Sequence, residues 1–247
     1  MSNSQLIYGL HAVQSLLKRH PERVLELQLT ERRDDPRMRA IEALAREHGT
    51  KVVRVDAQAL QKALGDVSHQ GLAAEILPLP PWSEDDLVGA LAQASSPLIL
   101  ALDGVQDPHN LGACLRTADA CGAMAVVVPK DRAAHLTPAV RKVAAGAAES
   151  VPLVTVTNLV RTLKLLKEAS LWVTGADADA PRTAAEVDFT GGTVLVMGAE
   201  GAGLRQLTRQ TCDYMVRLPQ LGSVESLNVS VASGMLLYEV VRQRNKK

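Results

Sequence analysis

Aromatic residues are scarce: Trp, Tyr and Phe together make up 2% of the 247 residues. Such a chain has little means of holding a single-stranded nucleic acid by stacking bases on rings. Nor is there an excess of one charge. Lys and Arg number 27, Asp and Glu also 27, and the formal net charge is zero. The basic surplus common in nucleic-acid binders is missing, so any contact with a polyanion has to come from local clusters. Cysteine is sparse too. Cys114, Cys121 and Cys212 are odd in number and show no CxxC spacing. This disfavours a disulfide framework and a zinc site, and points to a reducing, cytoplasmic setting. Cys114 and Cys121, seven apart on an expected helix, share a face and read as small buried hydrophobes. No run of eighteen apolar residues occurs, so no membrane span is expected. The start, MSNSQLIYGLHAVQSLLKRH, lacks the basic, apolar and small-residue blocks of a signal peptide. What is present is 47% hydrophobic and 22% charged residues, the mixture of a globular protein with a core to bury.

The clearest internal boundary is Leu77-Pro-Leu-Pro-Pro81, followed by the acidic Ser83-Glu-Asp-Asp86. Prolines so spaced continue neither a helix nor a central strand. We therefore expect a first domain over 1–76, a linker with a short helix over 77–95, and a second domain over 96–247. In the first, GLHAVQSLLKR (9–19) and DPRMRAIEALAREHG (35–49) have helical spacing, the latter ending at Gly49. VLELQLT (24–30), KVVRV (51–55) and GLAAEIL (71–77) read as strands. This small α/β domain holds eleven basic against ten acidic residues. A basic face would come from Lys18 and Arg19 or from Arg32, Arg33 and Arg37, each also readable as a solvated helix face. In the second, short β-branched strands at 97–105, 125–129, 152–156, 171–176, 193–198 and 214–219 alternate with helices. Those helices are expected near 112–121, 137–148, 158–169, 203–211 and 226–243. That alternation predicts a parallel sheet covered on both faces, with ligands in the loops at the carboxyl ends of its strands.

Three such loops carry unusual residues. In LDGVQDPHNLGACLRTADACG (102–122), Asn110 suits a helix N-cap or a catalytic role, Gly112 permits close backbone approach, and Arg116 reads as a surface or a functional arginine. His109 reads as structural. In VLVMGAEGAGL (194–204), Gly198, Gly201 and Gly203 follow a buried strand, a context suited to a turn or to a cofactor's close approach. Glu200 among them is a helix-capping acid or a ligand contact. The order GxxGxG and the absence of an acid ending the next strand disfavour a nicotinamide site. In LPQLGSVESLNVSVASGMLLYEVVRQR (218–244), Ser226 opens an apolar helix, with Asn228 and Ser230 in its first turn. Simple capping by Ser226 would explain the serine as well.

Taken in order, DGVQDPHNLGACLRTADACG, VMGAEGAGL and LPQLGSVESLNVSVASGMLLYE resemble the three motifs of the SpoU (TrmH) class of RNA 2′-O-methyltransferases. IYGLHAVQSLL, SHQGLAA (68–74) and RKVAAGAAESVP (141–152) extend the likeness to its bacterial 23S rRNA guanosine members, over the whole chain. The resemblance implies an α/β fold whose C-terminal parallel-sheet domain carries a deep trefoil knot (the SPOUT, or α/β-knot, type). It also implies a small N-terminal α/β domain similar to ribosomal L30e that captures RNA. It implies S-adenosylmethionine as co-substrate, no metal, a homodimer, 23S rRNA as partner, and neither DNA nor membrane. By carry-over of motif positions, Arg116, Asn110, Glu200, Ser226 and Asn228 form the active-site set. Met197, Gly198, Leu218, Leu227, Ser226 and Asn228 would hold the cofactor. Two other readings stay open at this point: a tRNA-modifying relative, and a non-catalytic RNA-binding module of ribosome assembly. Retention of Asn110, Arg116 and Asn228 speaks against the second of these.

Overall fold

The computed structural model describes residues 4–30, 35–65, 67, 69–224 and 226–245. Its chain forms two compact units, Met1–Pro80 with Ala145–Ser150, and Pro81–Ala144 with Val151–Lys247. Arg32, Arg33 and Ser68, singled out above, lie outside the described residues.

The first unit contains β1 (Gln5–Tyr8), α1 (Leu10–Arg19), β2 (Val24–Thr30), α2 (Pro36–Glu47), β3 (Lys51–Val55), α3 (Ala57–Leu64) and β4 (Leu72–Ile76). Its sheet runs β1-β4-β2-β3, with β2 and β3 parallel and the other pairs antiparallel. Asp35 starts α2 by accepting the N–H groups of Arg37 and Met38, with Pro36 at the first helical position, where its missing donor costs nothing. Val13, Leu16 and Leu17 of α1, and Met38 and Ile41 of α2, bury their apolar stripes against Leu27, Leu29 and Leu72. Arg23 is buried: it donates to the Glu149 carbonyl at 2.5 Å, to Glu149 Oε2 at 3.3 Å and to the Leu77 carbonyl at 3.1 Å. Burial lowers its pKa, with the Glu22 carboxylate opposing that shift, and the buried Glu149 carboxylate is its ion-pair partner.

The second unit is built on β5 (Leu98–Asp103), β6 (Ala125–Pro129), β7 (Leu153–Val156), β8 (Trp172–Ala176), β9 (Arg182–Thr183), β10 (Thr193–Gly198) and β11 (Tyr214–Arg217). These form one sheet in the order β7-β6-β5-β10-β8-β11-β9, every neighbouring pair parallel. The chain steps outward from β5 to β6 and β7, crosses to β8, and later inserts β10 between β5 and β8. The strand order therefore reverses beside β5, the position where open parallel sheets place their ligands. Helices α4 (Glu84–Leu91) and α7 (Leu159–Glu168) supply Leu87, Leu163 and Leu166 to a core with Ile99, Val127, Val173 and Val196. α5 (Pro108–Ala120) packs against α6 (Pro138–Ala144) and α9 (Val229–Arg244), while α8 (Gln206–Thr211) is a short connector to β11.

The structure moves several expected boundaries. The short helix expected within 77–95 is α4; its Leu87 is fully buried and its Glu84 bonds Arg161 and Thr162 of α7, so 81–95 groups with the second unit. The helix expected over 137–148 ends at Ala144; Ala145 and Gly146 both have positive φ, and a 3₁₀ turn follows at Ala147–Glu149. The last helix begins at Val229 rather than Ser226.

At the far end of α9, Arg244 donates to the carbonyls of Ser96 (2.7 Å), Phe189 (3.0 Å) and Gly191 (2.6 Å), and Gln243 exchanges bonds with Phe189 and Val187. One guanidinium thus fastens the last helix to the segment that leads into β10. Arg244→Ala leaves those carbonyls without their donor and costs about 2–3 kcal/mol. The expected fall in the melting temperature of the second unit is about 5–10 °C by scanning calorimetry.

Candidate active site

The loops leaving β5, β10 and β11 each deliver one side chain to a single hydrogen-bonded cluster. After β5, Asp107 caps α5 by accepting the His109 N–H at 2.8 Å, and Pro108 fills the first helical position. The cap expected at Asn110 is therefore made by Asp107. Asn110 sits three residues into the first turn, 7% exposed, with its amide free to point away from its own helix. Gly112 lies where a Cβ would stand 2.7 Å from Val143 Cβ, so the close approach it allows is that of α6.

After β10 the chain folds straight back on itself. Ala199 and Gly203 exchange backbone hydrogen bonds of 3.1 and 2.9 Å. A Cβ on Gly198 would lie 2.2 Å from the Gly203 carbonyl carbon, and Gly201 and Gly203 take φ of +73° and +65°. All three glycines are thus required by the turn itself. The turn presents Glu200.

After β11, Asn228 caps α9, its Oδ1 accepting the Ser230 N–H and hydroxyl and, at longer range, the Val231 N–H. That is the role expected of Ser226, which lies exposed two residues earlier and bonds no described side chain. The Asn228 amide nitrogen donates to Glu200 Oε1 at 2.7 Å and to Asn110 Oδ1 at 2.9 Å, while Asn110 Nδ2 donates to the same Glu200 oxygen at 3.1 Å. The first turns of α5 and α9 thereby converge on one carboxylate, a favourable arrangement because helix N-termini carry partial positive charge. Among the described residues, none donates a hydrogen bond to the second oxygen, Glu200 Oε2.

Of the expected active-site set, then, the structure joins Asn110, Glu200 and Asn228. It leaves Ser226 and Arg116 outside the cluster. Arg116 stands six residues beyond Asn110, about 9 Å further along the α5 axis. It is exposed and forms no hydrogen bond or ion pair with a described residue. Met197 (3% exposed) and Gly198 end β10, Leu218 follows β11, and Leu227 precedes the Asn228 cap, so the expected cofactor residues share this edge of the sheet. Sequence reading missed Asp103, the buried last residue of β5, whose Oδ2 accepts the Arg205 N–H at 3.0 Å. Its only signal was a carboxylate ending the apolar run LILALD.

Thiol chemistry has little place in this unit. Burial pushes Cys114 up to about 11, and burial together with Asp213 pushes Cys212 up to about 12, so neither offers a thiolate near neutral pH. Among the described residues no group of three His, Cys, Asp or Glu could hold a metal ion. A methyl group at position 198 has no room beside the Gly203 backbone. Gly198→Ala displaces the Glu200 turn and destabilises the unit by about 1–3 kcal/mol, read as a lower urea midpoint at unchanged slope.

The model of the SpoU rRNA methylase family matches residues 97–238, and that of the RNA 2′-O ribose methyltransferase substrate-binding domain matches residues 6–82. The chain is 53% identical, over 100% of its length and 99% of the relative's, to the 23S rRNA (guanosine-2′-O-)-methyltransferase RlmB of Pseudomonas syringae pv. tomato. It is 48% identical to RlmB of Escherichia coli K12, covering 98% of this chain and 100% of that protein. The SpoU methyltransferase AviRb of Streptomyces viridochromogenes, solved in complex with the cofactor AdoMet, superposes with a TM-score of 0.76. Its identity is 26%, over 99% of this chain and 92% of that one. With both family models matched in order and enzymes of one kind aligned end to end, this chain belongs to the SpoU rRNA methylase family.

Proposed function

We propose that the protein transfers the methyl group of S-adenosylmethionine to the ribose 2′-oxygen of a guanosine in 23S rRNA, in the peptidyl-transferase loop. The observation that carries this reading is the 53% identity to RlmB across the entire chain, first unit included. A tRNA-directed relative would be expected to match through the methyltransferase portion, whereas here residues 6–82 match a substrate-binding model of their own. We assign that first unit to RNA capture, in an L30e-like fold, and the second to catalysis.

The donor supplies an electrophilic methyl on sulfonium; the chain must hold that donor, align the ribose oxygen behind the methyl and manage one proton. Met197, Gly198, Leu218 and Leu227 would form the wall and floor of the donor pocket, closed by Ser226 and Asn228. The residues present suit such a ligand. Gln220 Oε1, two positions past Leu218, is buried without a hydrogen-bond partner among the described residues. It calls for a donor, and S-adenosylmethionine carries amino and hydroxyl donors. Insertion of β10 between β5 and β8, with α9 packed back on α5, is the strand order on which we base the trefoil-knot reading.

Arg116 is the residue we assign to the reacting ribose. A guanidinium stays protonated in proteins, so it does not take the hydroxyl proton. It pairs instead with the target phosphate and stabilises the developing alkoxide, the proton leaving through that phosphate or a water. Its exposure and its lack of a partner among the described residues leave the fork open to RNA. Glu200 and Asn110 orient the ribose. The protein works as a homodimer in the cytoplasm on this reading. Val231, Met235 and Tyr238 stand 51%, 45% and 64% exposed at i, i+4 and i+7 on one face of α9, an apolar stripe suited to a second copy.

The test is transfer of labelled methyl from S-adenosylmethionine to unmethylated 23S rRNA, with the modified ribose mapped. One 2′-O-methylguanosine is expected. Arg116→Ala lowers the rate about a hundred- to a thousandfold. Arg116→Lys, which keeps the charge but loses the fork, stays well below wild type; a lysine variant at full rate would remove the guanidinium from the mechanism. Transfer to tRNA but not to 23S rRNA would overturn the substrate.

A further inference from the structure

Asp103 is the one buried carboxylate of the second unit among the described residues, 1% exposed at the carboxyl end of the central strand β5. Its surroundings satisfy it poorly. Oδ2 accepts a single backbone bond, from the Arg205 N–H at 3.0 Å. Oδ1 has no hydrogen-bond partner among the described residues and makes a 3.5 Å ion pair with Arg205 Nε. Taking a carboxylate out of water for so few partners adds little to stability and can subtract from it. A residue kept on those terms is explained better by what it holds in place than by what it contributes to the core.

What it holds is the turn that carries Glu200. Asp103 lies in register with Gly198 on the neighbouring strand, and it is over that glycine that Gly203 returns. The turn is closed at its base by the Ala199–Gly203 bonds and leaves through Arg205, the residue before α8, which has no side-chain cap of its own. The same Arg205 side chain lies across Gly104, its Nη2 3.5 Å from where a Cβ would stand, and Gly104 (φ +85°) opens the loop that leads to Asn110. One carboxylate therefore fixes the exit of the second loop and, through the Arg205 side chain, lies against the entrance of the first.

We infer that Asp103 is a positioning residue for methyl transfer: with Arg205 it latches the 199–205 turn so that Glu200 stands ready for Asn110 and Asn228. The inference rests on the active-site reading above. It requires that Asp103 cost the fold little and the reaction much. In Asp103→Asn the amide oxygen still fits beside the Arg205 N–H, but the charge is gone and the new amide hydrogens have no acceptor. Asp103→Ala removes the acceptor altogether, and Arg205→Ala removes only the side chain, keeping the backbone bond.

The experiment combines amide hydrogen exchange of the free protein with single-turnover methyl transfer at saturating S-adenosylmethionine and 23S rRNA. In Asp103→Asn and Asp103→Ala, exchange across 199–205 speeds up about tenfold or more, while the amides of β5 and β10 keep their protection. The single-turnover rate falls about tenfold or more, at unchanged affinity for RNA. Asp103→Asn melts within about 3 °C of wild type, because relief from burying a charge offsets the unpaired amide hydrogens. Arg205→Ala shows the smaller effect, and adding it to Asp103→Asn produces less than the product of the two single losses. Wild-type exchange in the turn with a wild-type rate would overturn the latch and leave the site reading intact. A rate loss that tracks a fall in melting temperature, with the turn still protected, would reduce Asp103 to a stability residue. Faster exchange in the turn of a protein whose wild type transfers no methyl would overturn the site reading, and the positioning role with it.

Discussion

Hydrogen bonds from Asn110 and Asn228 to one oxygen of Glu200 join side chains that lie 90 and 28 residues from it in sequence. Each is a charge-assisted bond, stronger than its neutral equivalent, and each also satisfies an amide that would otherwise depend on water. The cluster makes sense only on a sheet whose strands all point the same way. Parallel pairing sends the chain out of β5, β10 and β11 at one edge, and the next helix in each case begins there. Two of those helices, α5 and α9, turn their N-terminal ends toward the carboxylate, so the backbone itself favours the negative charge at that point.

The loops are positioned by economical local chemistry. Asp107 and Pro108 take over the start of α5, which leaves the Asn110 amide available for its partners. Asn228 does both jobs with one group, its oxygen capping α9 and its nitrogen binding Glu200 and Asn110. Loss of Asn228 would therefore weaken the helix start and the site together. The glycine turn after β10 has no such freedom. Its course is set by the clash any side chain at Gly198 would meet, and by the positive φ of Gly201 and Gly203.

Much of this could be read from the residues, and the failures have identifiable causes. Every strand of the large sheet except the two-residue β9 announced itself as a short β-branched run, and its direction followed from the alternation with helices. Which strands are neighbours did not follow, because β10 enters between β5 and β8 from far along the chain, and local pattern carries no record of that. The caps were misassigned by small margins. Asp107-Pro108 was the stronger start signal, since proline at the first helical position places the cap one residue before it. Asn228 lies closer than Ser226 to the onset of the apolar helix. The short helix expected between the domains is present as α4, but spacing alone did not show that it joins the second unit, with Leu87 already in the core beyond the prolines at 78, 80 and 81. Arg23 and Glu149, 126 residues apart, and Asp103 beside Arg205, 102 apart, are pairs that no spacing rule exposes.

The central claim is that the Glu200 carboxylate assembles the site from three loops. Glu200→Gln tests it most directly: the shape is kept, but one of the two acceptor oxygens and the charge are lost. Methyl transfer from S-adenosylmethionine to 23S rRNA by this variant is expected to fall about a hundredfold while the protein stays folded. Adding Asn110→Ala to it should then cost little more, because both changes weaken the same charge-assisted bonds. Wild-type transfer by Glu200→Gln, or losses from the two changes that simply multiply, would contradict the account.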